Sequence, residues 1–367
     1  MPLRLVRRGG GPYARERSFT GAHALHNPAS QWIRQPLGES KTTMSAFHLP
    51  KLYCPIAPEL HPLMKQIEGE ALERWAKYLG VHARHSVFRK LQRSHFPFLL
   101  GRCHPDVPQE NLRAALDFLI WNFSWDDQVD VGEVPADWVR QQSEMALAVL
   151  QGAIPYHDAP PLLWLLASIR ERIAARMPAE WMERFIHACQ CYFEGTIWEA
   201  EVRGNRECLD VDTYIQLRRL SVGTYMGFTQ VEAIEGFLLP GEVVEHPALQ
   251  QLVETATDVI AWANDLFSLA QDLQDEFHPN LVFSIQKERG LGLQKAIGVA
   301  VEMHDTAMRR FLEQEKSLPS FGEHDAHVAR YVMGLRRWVR ANVDWSIQTG
   351  RYQEGAGEAA LPRTRVA

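Results

Sequence analysis

From about residue 60 to residue 349 the apolar residues recur at the three- and four-residue spacing of helices, between clusters of Pro and Gly. Nowhere do apolar and polar residues alternate for long enough to build a sheet. A chain written this way folds as an all-α bundle. The pattern predicts helices over 60–80, 84–93, 108–126, 138–150, 160–175, 179–203, 211–237, 247–275, 280–289, 291–315 and 324–349. No fixed-period repeat is present, and no linker after residue 44 is long enough to separate one domain from another, so residues 44–367 read as one helical domain.

Composition removes several function classes. A formal net charge of −6, with no long basic stripe in the folded region, argues against a nucleic-acid partner. No run of eighteen apolar residues occurs, so no membrane span is expected. The five cysteines, Cys54, Cys103, Cys189, Cys191 and Cys208, are odd in number and form no CxxC pair, which points to a reduced, cytoplasmic setting. Residues 1–43, with four arginines in the first fifteen positions and a GGGP break, are expected to be a disordered leader or to follow a start placed too early, with Met44 the natural beginning. HARH at 82–85 has two histidines at i, i+3 but no Glu or Cys companions, and reads as a solvated basic helix rather than a zinc site.

The stretch WNFSWDDQVD, Trp121 to Asp130, carries the first chemical signal. On a helix, Leu112, Leu116, Leu119, Phe123, Asp126 and Asp130 fall in one narrow stripe, so the carboxylates continue an apolar face. Burying bare carboxylates is costly unless something positive meets them, and an i, i+4 pair on one face suits a hard, oxygen-preferring cation such as magnesium. The alternative is a helix end breaking into an acidic, solvated turn.

A second acidic helix runs through VETATDVIAWANDLFSLAQDLQDE, Val253 to Glu276. Asn264, Ser268 and Asp272, at i, i+4 and i+8, share a face with Val253 and Ile260, while Leu266, Leu269 and Leu273 lie opposite, so the helix is expected to be buried all round. An amide oxygen, a hydroxyl and a carboxylate along one buried face form either an oxygen cage for a further magnesium or a hydrogen-bonded polar seam between helices.

DDQVD fits the DDxxD motif and NDLFSLAQD the (N/D)Dxx(S/T)xxx(E/D) motif of class I terpene synthases, in the order and at the separation of bacterial and fungal members. The resemblance extends further and covers essentially residues 45–353. Family members carry a diphosphate-sensing arginine about 46 positions before the second motif; here Arg218 and Arg219 stand in LRRLSVGTY, and Arg219 is taken as the better placed. They also carry a later Arg-Tyr pair, supplied here by Arg351 and Tyr352, the arginine 87 residues beyond Asn264. Four motifs in order are far more specific than one.

The resemblance implies a single α bundle around a cavity and a prenyl diphosphate substrate ionised with three magnesium ions. By it, Asp126 and Asp130 belong to one metal set and Asn264, Ser268 and Asp272 to the other. Arg219, Arg351 and Tyr352 contact the diphosphate, and Asp127 orients an arginine. Phe123 and Trp345 stand where members place cation-facing rings, with Trp121, Trp125, Trp198, Tyr225 and Trp262 as further possibilities. Gly223, four after Arg219, is expected to break its helix and expose a carbonyl to substrate, linked through Val222. Three departures stand out: Asp272 where bacterial members usually have Glu, Gln271 where many have Lys, and an apolar Val222 at an often acidic position. Farnesyl diphosphate and a sesquiterpene product fit the domain size, with geranyl and geranylgeranyl diphosphate as alternatives and a monomer or homodimer as the assembly. A chain-elongating prenyltransferase would carry two DDxxD motifs, a protonating cyclase a DxDD motif, and a silent helical scaffold would have no need of intact metal residues.

Overall fold

The computed structural model describes residues 47–79, 86–129, 134–154, 161–274 and 277–352. Residues 1–43, HARH and Asp130 lie outside this set. Among the described residues there are helices and turns and no strand, as the all-α reading requires. The order is α1 (Met64–Leu79), α2 (Ser86–Ser94), α3 (Phe96–Cys103), α4 (Gln109–Val129), α5 (Ala136–Leu150), α6 (Pro161–Ala174) and α7 (Ala179–Gly204). It continues with α8 (Val211–Ser221), α9 (Thr224–Glu235), α10 (Gly241–Val244), α11 (Pro247–Asp272), α12 (Leu281–Arg289), α13 (Leu293–Lys316) and α14 (Asp325–Gln348). A 3-10 turn, Gly350–Tyr352, follows α14.

The second acidic helix, α11, is the axis of the bundle and packs against α13, α14, α8 and α12. It is buried all round: Leu252, Ala256, Val259, Ala263, Leu266 and Leu269 are all at most 1% exposed. The four leucine and valine side chains among them each contribute roughly 1.5–3 kcal/mol. That burial is enough to hold in place a helix that also carries Asp258, Asp265 and Asp272 into the interior. The first acidic helix, α4, lies against α6, α3, α1 and α9, and α7 joins α5, α8 and α9.

Two helices fall outside the sequence pattern. Phe96–Cys103 reads as a loop because HFPFLLG contains Pro and Gly. Pro97 falls in the first turn, where its missing N–H is no loss, and the segment is held by burying Phe96, Leu99, Leu100 and Cys103 against α4 and α14. The one-turn α10 is likewise set by its surroundings. The predicted helix 211–237 divides at Gly223, the expected break. Gly223 takes φ +76°, a left-handed conformation that glycine adopts without a Cβ penalty, and becomes the N-cap of α9.

Candidate active site

One cavity collects most of the residues singled out by sequence. Its walls include Asp126 and Phe123 of α4, Gly223 at the α8–α9 break, Asn264, Ser268 and Asp272 of α11, Trp345 of α14, and Arg351 and Tyr352 of the final turn. The two acidic helices therefore contribute oxygen donors to the same space.

On α4 the cavity face is Ala115, Phe118, Leu119, Asn122, Phe123 and Asp126. This is rotated from the expected stripe: Leu112 and Leu116 are buried behind it, 0% and 1% exposed, against other helices. An apolar stripe cannot separate cavity wall from packed core, since both exclude water.

Arg351 bridges the adjacent acids. Its Nη2 donates to Asp126 Oδ2 and its Nη1 to Asp127 Oδ1, each at 2.9 Å. Asp127 points to the rim, where Lys90 Nζ on α2 donates to its other oxygen at 2.7 Å. Burial by itself would raise the Asp127 carboxyl, but Arg351 and Lys90 outweigh it and hold the group below the usual carboxylate range. Asp126 also receives Tyr192 Oη at 3.4 Å. Burial disfavours the Arg351 charge, yet Asp127 and Asp126 raise its pKa above the ordinary arginine value.

Across the cavity, Asn264 Oδ1 accepts from Arg218 Nη2 at 2.6 Å and its Nδ2 donates to Tyr352 Oη at 2.6 Å. Burial pushes the Tyr352 phenol up to about 12, so it stays a hydrogen-bond donor at neutral pH. Ser268 Oγ donates to Asp272 Oδ2 at 2.6 Å, and His278 Nε2 lies 3.6 Å from Asp272 Oδ1.

The structure separates the two neighbouring arginines of α8. Arg218 lines the cavity and Arg219 does not. Arg218 Nε donates to Asp265 Oδ1 at 3.0 Å, and its Nη1 lies 3.7 Å from Glu199. Asp265 in turn accepts from Tyr214 Oη. Arg219, one residue and about 100° further round α8, makes a bidentate pair with Asp258 at 2.7 Å and 2.7 Å and reaches Glu254. The spacing of 46 residues to Asn264 is in fact that of Arg218.

Phe123 and Trp345 both face the cavity, 5.6 Å apart between centroids, with Phe96 stacked behind Phe123 at 4.0 Å. The guanidinium of Arg351 sits 5.2 Å from the Phe123 centroid. None of Trp121, Trp125, Trp198, Tyr225 or Trp262 lines the cavity; Trp121 and Trp125 instead stack on one another at 5.7 Å. Phe118, Tyr192 and Trp338 are cavity rings the sequence reading missed. Phe118 was legible as two turns before Asp126. Trp338 was legible as two turns before Trp345. Tyr192 and Glu199 share a face of α7, but no motif marks it.

The donor chemistry fits a divalent cation. Asp126, Asn264, Ser268 and Asp272 offer hard oxygen ligands, and Asn264 Oδ1 has a second lone pair beyond the one taken by Arg218. Among the described residues no three His, Cys, Asp or Glu side chains converge closely enough to hold a metal by themselves. That follows from the split of carboxylates between two walls and from an amide and a hydroxyl completing the second set.

Comparisons with known proteins agree. The model of terpene synthase family 2, C-terminal metal binding, matches residues 117–310. A germacrene A synthase of Nostoc punctiforme is 31% identical over 84% of this chain and 96% of its own. A (+)-T-muurolol synthase ((2E,6E)-farnesyl diphosphate cyclizing) of Roseiflexus castenholzii is 32% identical over 78% of this chain and 88% of its own. The crystal structure of a linalool/nerolidol synthase from Streptomyces clavuligerus superimposes with TM-score 0.71 at 21% identity, covering 81% of this chain and 99% of that one, which supports the fold. With an oxygen-lined, aromatic-walled cavity, a matching metal-binding domain and relatives aligned over most of their length, the chain belongs to the terpene synthase family, enzymes of the lyase class that use divalent metal.

Proposed function

We propose that this enzyme converts farnesyl diphosphate to a sesquiterpene with the help of three magnesium ions. The observation that carries the reading is the facing of Asp126 on α4 and Asn264, Ser268 and Asp272 on α11 across one cavity, with Arg351 beside Asp126, Arg218 beside Asn264, and Tyr352 lining the same cavity. Relatives whose names state farnesyl diphosphate cyclisation, a (+)-T-muurolol synthase and a 4-epi-cubebol synthase, support the farnesyl chain length.

Asp126 would hold metal on one side, and Asn264, Ser268 and Asp272 on the other. Bound magnesium supplies Lewis-acid neutralisation of the departing diphosphate. Arg218, Arg351 and Tyr352 donate hydrogen bonds to its oxygens, so negative charge developing on the leaving group meets fixed positive charge and dipoles. Phe123, Trp345, Phe118 and Trp338 offer ring faces that stabilise a carbocation without a lone pair to trap it. Asp127, paired with Lys90 and Arg351, holds the arginine at the rim. The Gly223 break brings Val222, Gly223 and Thr224 to the wall, and a carbonyl there is suited to a passing cation. Five cysteines without a disulfide fit a reducing compartment, and no helix among the described residues is long and apolar enough to cross a membrane. A monomer or homodimer suffices for a cavity built within one chain.

The test is incubation of purified protein with geranyl, farnesyl and geranylgeranyl diphosphate, with magnesium and with chelator, followed by gas chromatography and mass spectrometry. The expected result is a magnesium-dependent cyclic C15 product from farnesyl diphosphate. Turnover of another chain length alone would overturn the substrate assignment, and turnover unaffected by chelator would overturn the metal.

A further inference from the structure

Asn280 has no place in the motifs, yet its amide ties the α11 donor set to the next helix. It is 1% exposed and is the N-cap of α12, its Oδ1 accepting from Val282 N at 2.9 Å. Its Nδ2 donates to Asp272 Oδ2 at 2.8 Å and to the backbone carbonyl of Asp265 at 3.0 Å. One acceptor and two donors are thus all engaged, a combination that a carboxylate or a hydroxyl of similar size lacks. The joint is shared: Leu281 N, the next residue, donates to Asp265 Oδ2 at 3.1 Å, and Asp265 Oδ1 orients Arg218.

Position makes this contact informative. Asp272 is the last residue of α11, where a helix frays and a side chain is least constrained by its own backbone. Within α11 its Oδ2 is met by Ser268 Oγ, itself one of the oxygen donors. Asn280 reaches the same oxygen from outside the helix and contributes no ligand of its own. Outer hydrogen bonds of this kind fix ligand orientation in metal sites.

We propose that Asn280 is a positioning residue for metal binding, acting through Asp272 by holding its carboxylate in one orientation. The role rests on Asn264, Ser268 and Asp272 being the metal-holding set, and the experiment separates the two.

Asn280→Ser and Asn280→Asp both keep a favoured N-cap for α12 and both lose the paired N–H donation. Each is compared with wild type and with Asp272→Ala by electron paramagnetic resonance titration of Mn²⁺ in the presence of inorganic diphosphate, by the magnesium concentration for half-maximal turnover of farnesyl diphosphate, and by thermal melting. The inference expects folded variants, Mn²⁺ binding weakened about 10-fold, and a matching rise in the magnesium requirement. In the Asp272→Ala background Asn280→Ser should weaken Mn²⁺ binding no further, because the two act as a unit. Wild-type Mn²⁺ binding by folded Asn280→Ser would overturn the role, as would an equal further loss in the Asp272→Ala background. Failure of both variants to fold would also overturn it, by placing the contribution in the fold alone. If Asp272→Ala itself bound Mn²⁺ as wild type does, the metal set would be wrong and the role of Asn280 would fall with it.

Discussion

Arg351 holds Asp126 and Asp127 together, one guanidinium nitrogen to each carboxylate at 2.9 Å. Residues 224 and 225 positions apart in the chain thereby close one side of the cavity. The fork geometry is what matters, since a single ammonium cannot meet two carboxylates at defined angles. Arg351→Lys is therefore expected to lower turnover by about 10²-fold while the melting temperature stays close to wild type. Steady-state kinetics beside a thermal melt check this, and unchanged turnover would remove Arg351 from the site.

The two neighbouring arginines of α8 should behave differently. Arg218→Lys removes the planar fork that contacts Asn264 and Asp265 and is expected to reduce kcat by about 10²-fold or more. Arg219→Lys disturbs a partly exposed pair with Asp258, and its expected cost is about 1 kcal/mol of stability with turnover nearly unchanged. Parallel kinetics and denaturant melts of the two variants decide it; the reverse ranking would return the diphosphate contact to Arg219.

Asp127 gives a pH signature. Its folded pKa lies below the usual range, so the unfolded chain binds the proton more readily. The stabilisation is complete above the unfolded value of about 3.9 and is lost as pH falls through the lower folded value. Stability should thus decline on the acid side, and Asp127→Asn should flatten that region of the profile while leaving the curve near pH 7 parallel to wild type. Thermal melts across pH 2 to 7, taken as roughly the carboxylate titration range, measure the slope. An unchanged slope would count against the ion pair.

Gly227 allows Trp338 to form the cavity wall. A Cβ at residue 227 would stand 2.8 Å from the Trp338 ring, closer than packed atoms tolerate. Gly227→Ala should displace the indole and change the product distribution, with total turnover reduced less than about 10-fold. Product profiles by gas chromatography test the point, and an identical profile would place Trp338 outside the cyclisation surface.

Much of this was legible in one dimension. Asp126 and the set Asn264, Ser268 and Asp272 stood at helical spacing on faces otherwise apolar, and the structure keeps them together because α4 and α11 obey that period over many turns. Gly223 was legible as a break, since a glycine inside a helix weakens it by about 1 kcal/mol. Tyr192, Glu199 and His278 were not legible: they reach the cavity from elements with no motif. Asn280 was hidden for a different reason, because a cap residue looks alike whether or not its amide also serves a neighbour.

The sequence by itself determined the helical class and the two oxygen-bearing faces, because side-chain direction along one helix follows a local 100° step. Only the tertiary structure decided which portion of each face opens on the cavity: Arg218 over Arg219 on α8, Phe118 over Leu116 on α4, Ile260 over Trp262 on α11. That choice depends on how far α8, α4 and α11 are rotated about their own axes when they pack against their neighbours, and such rotations are set by contacts between residues far apart in the chain.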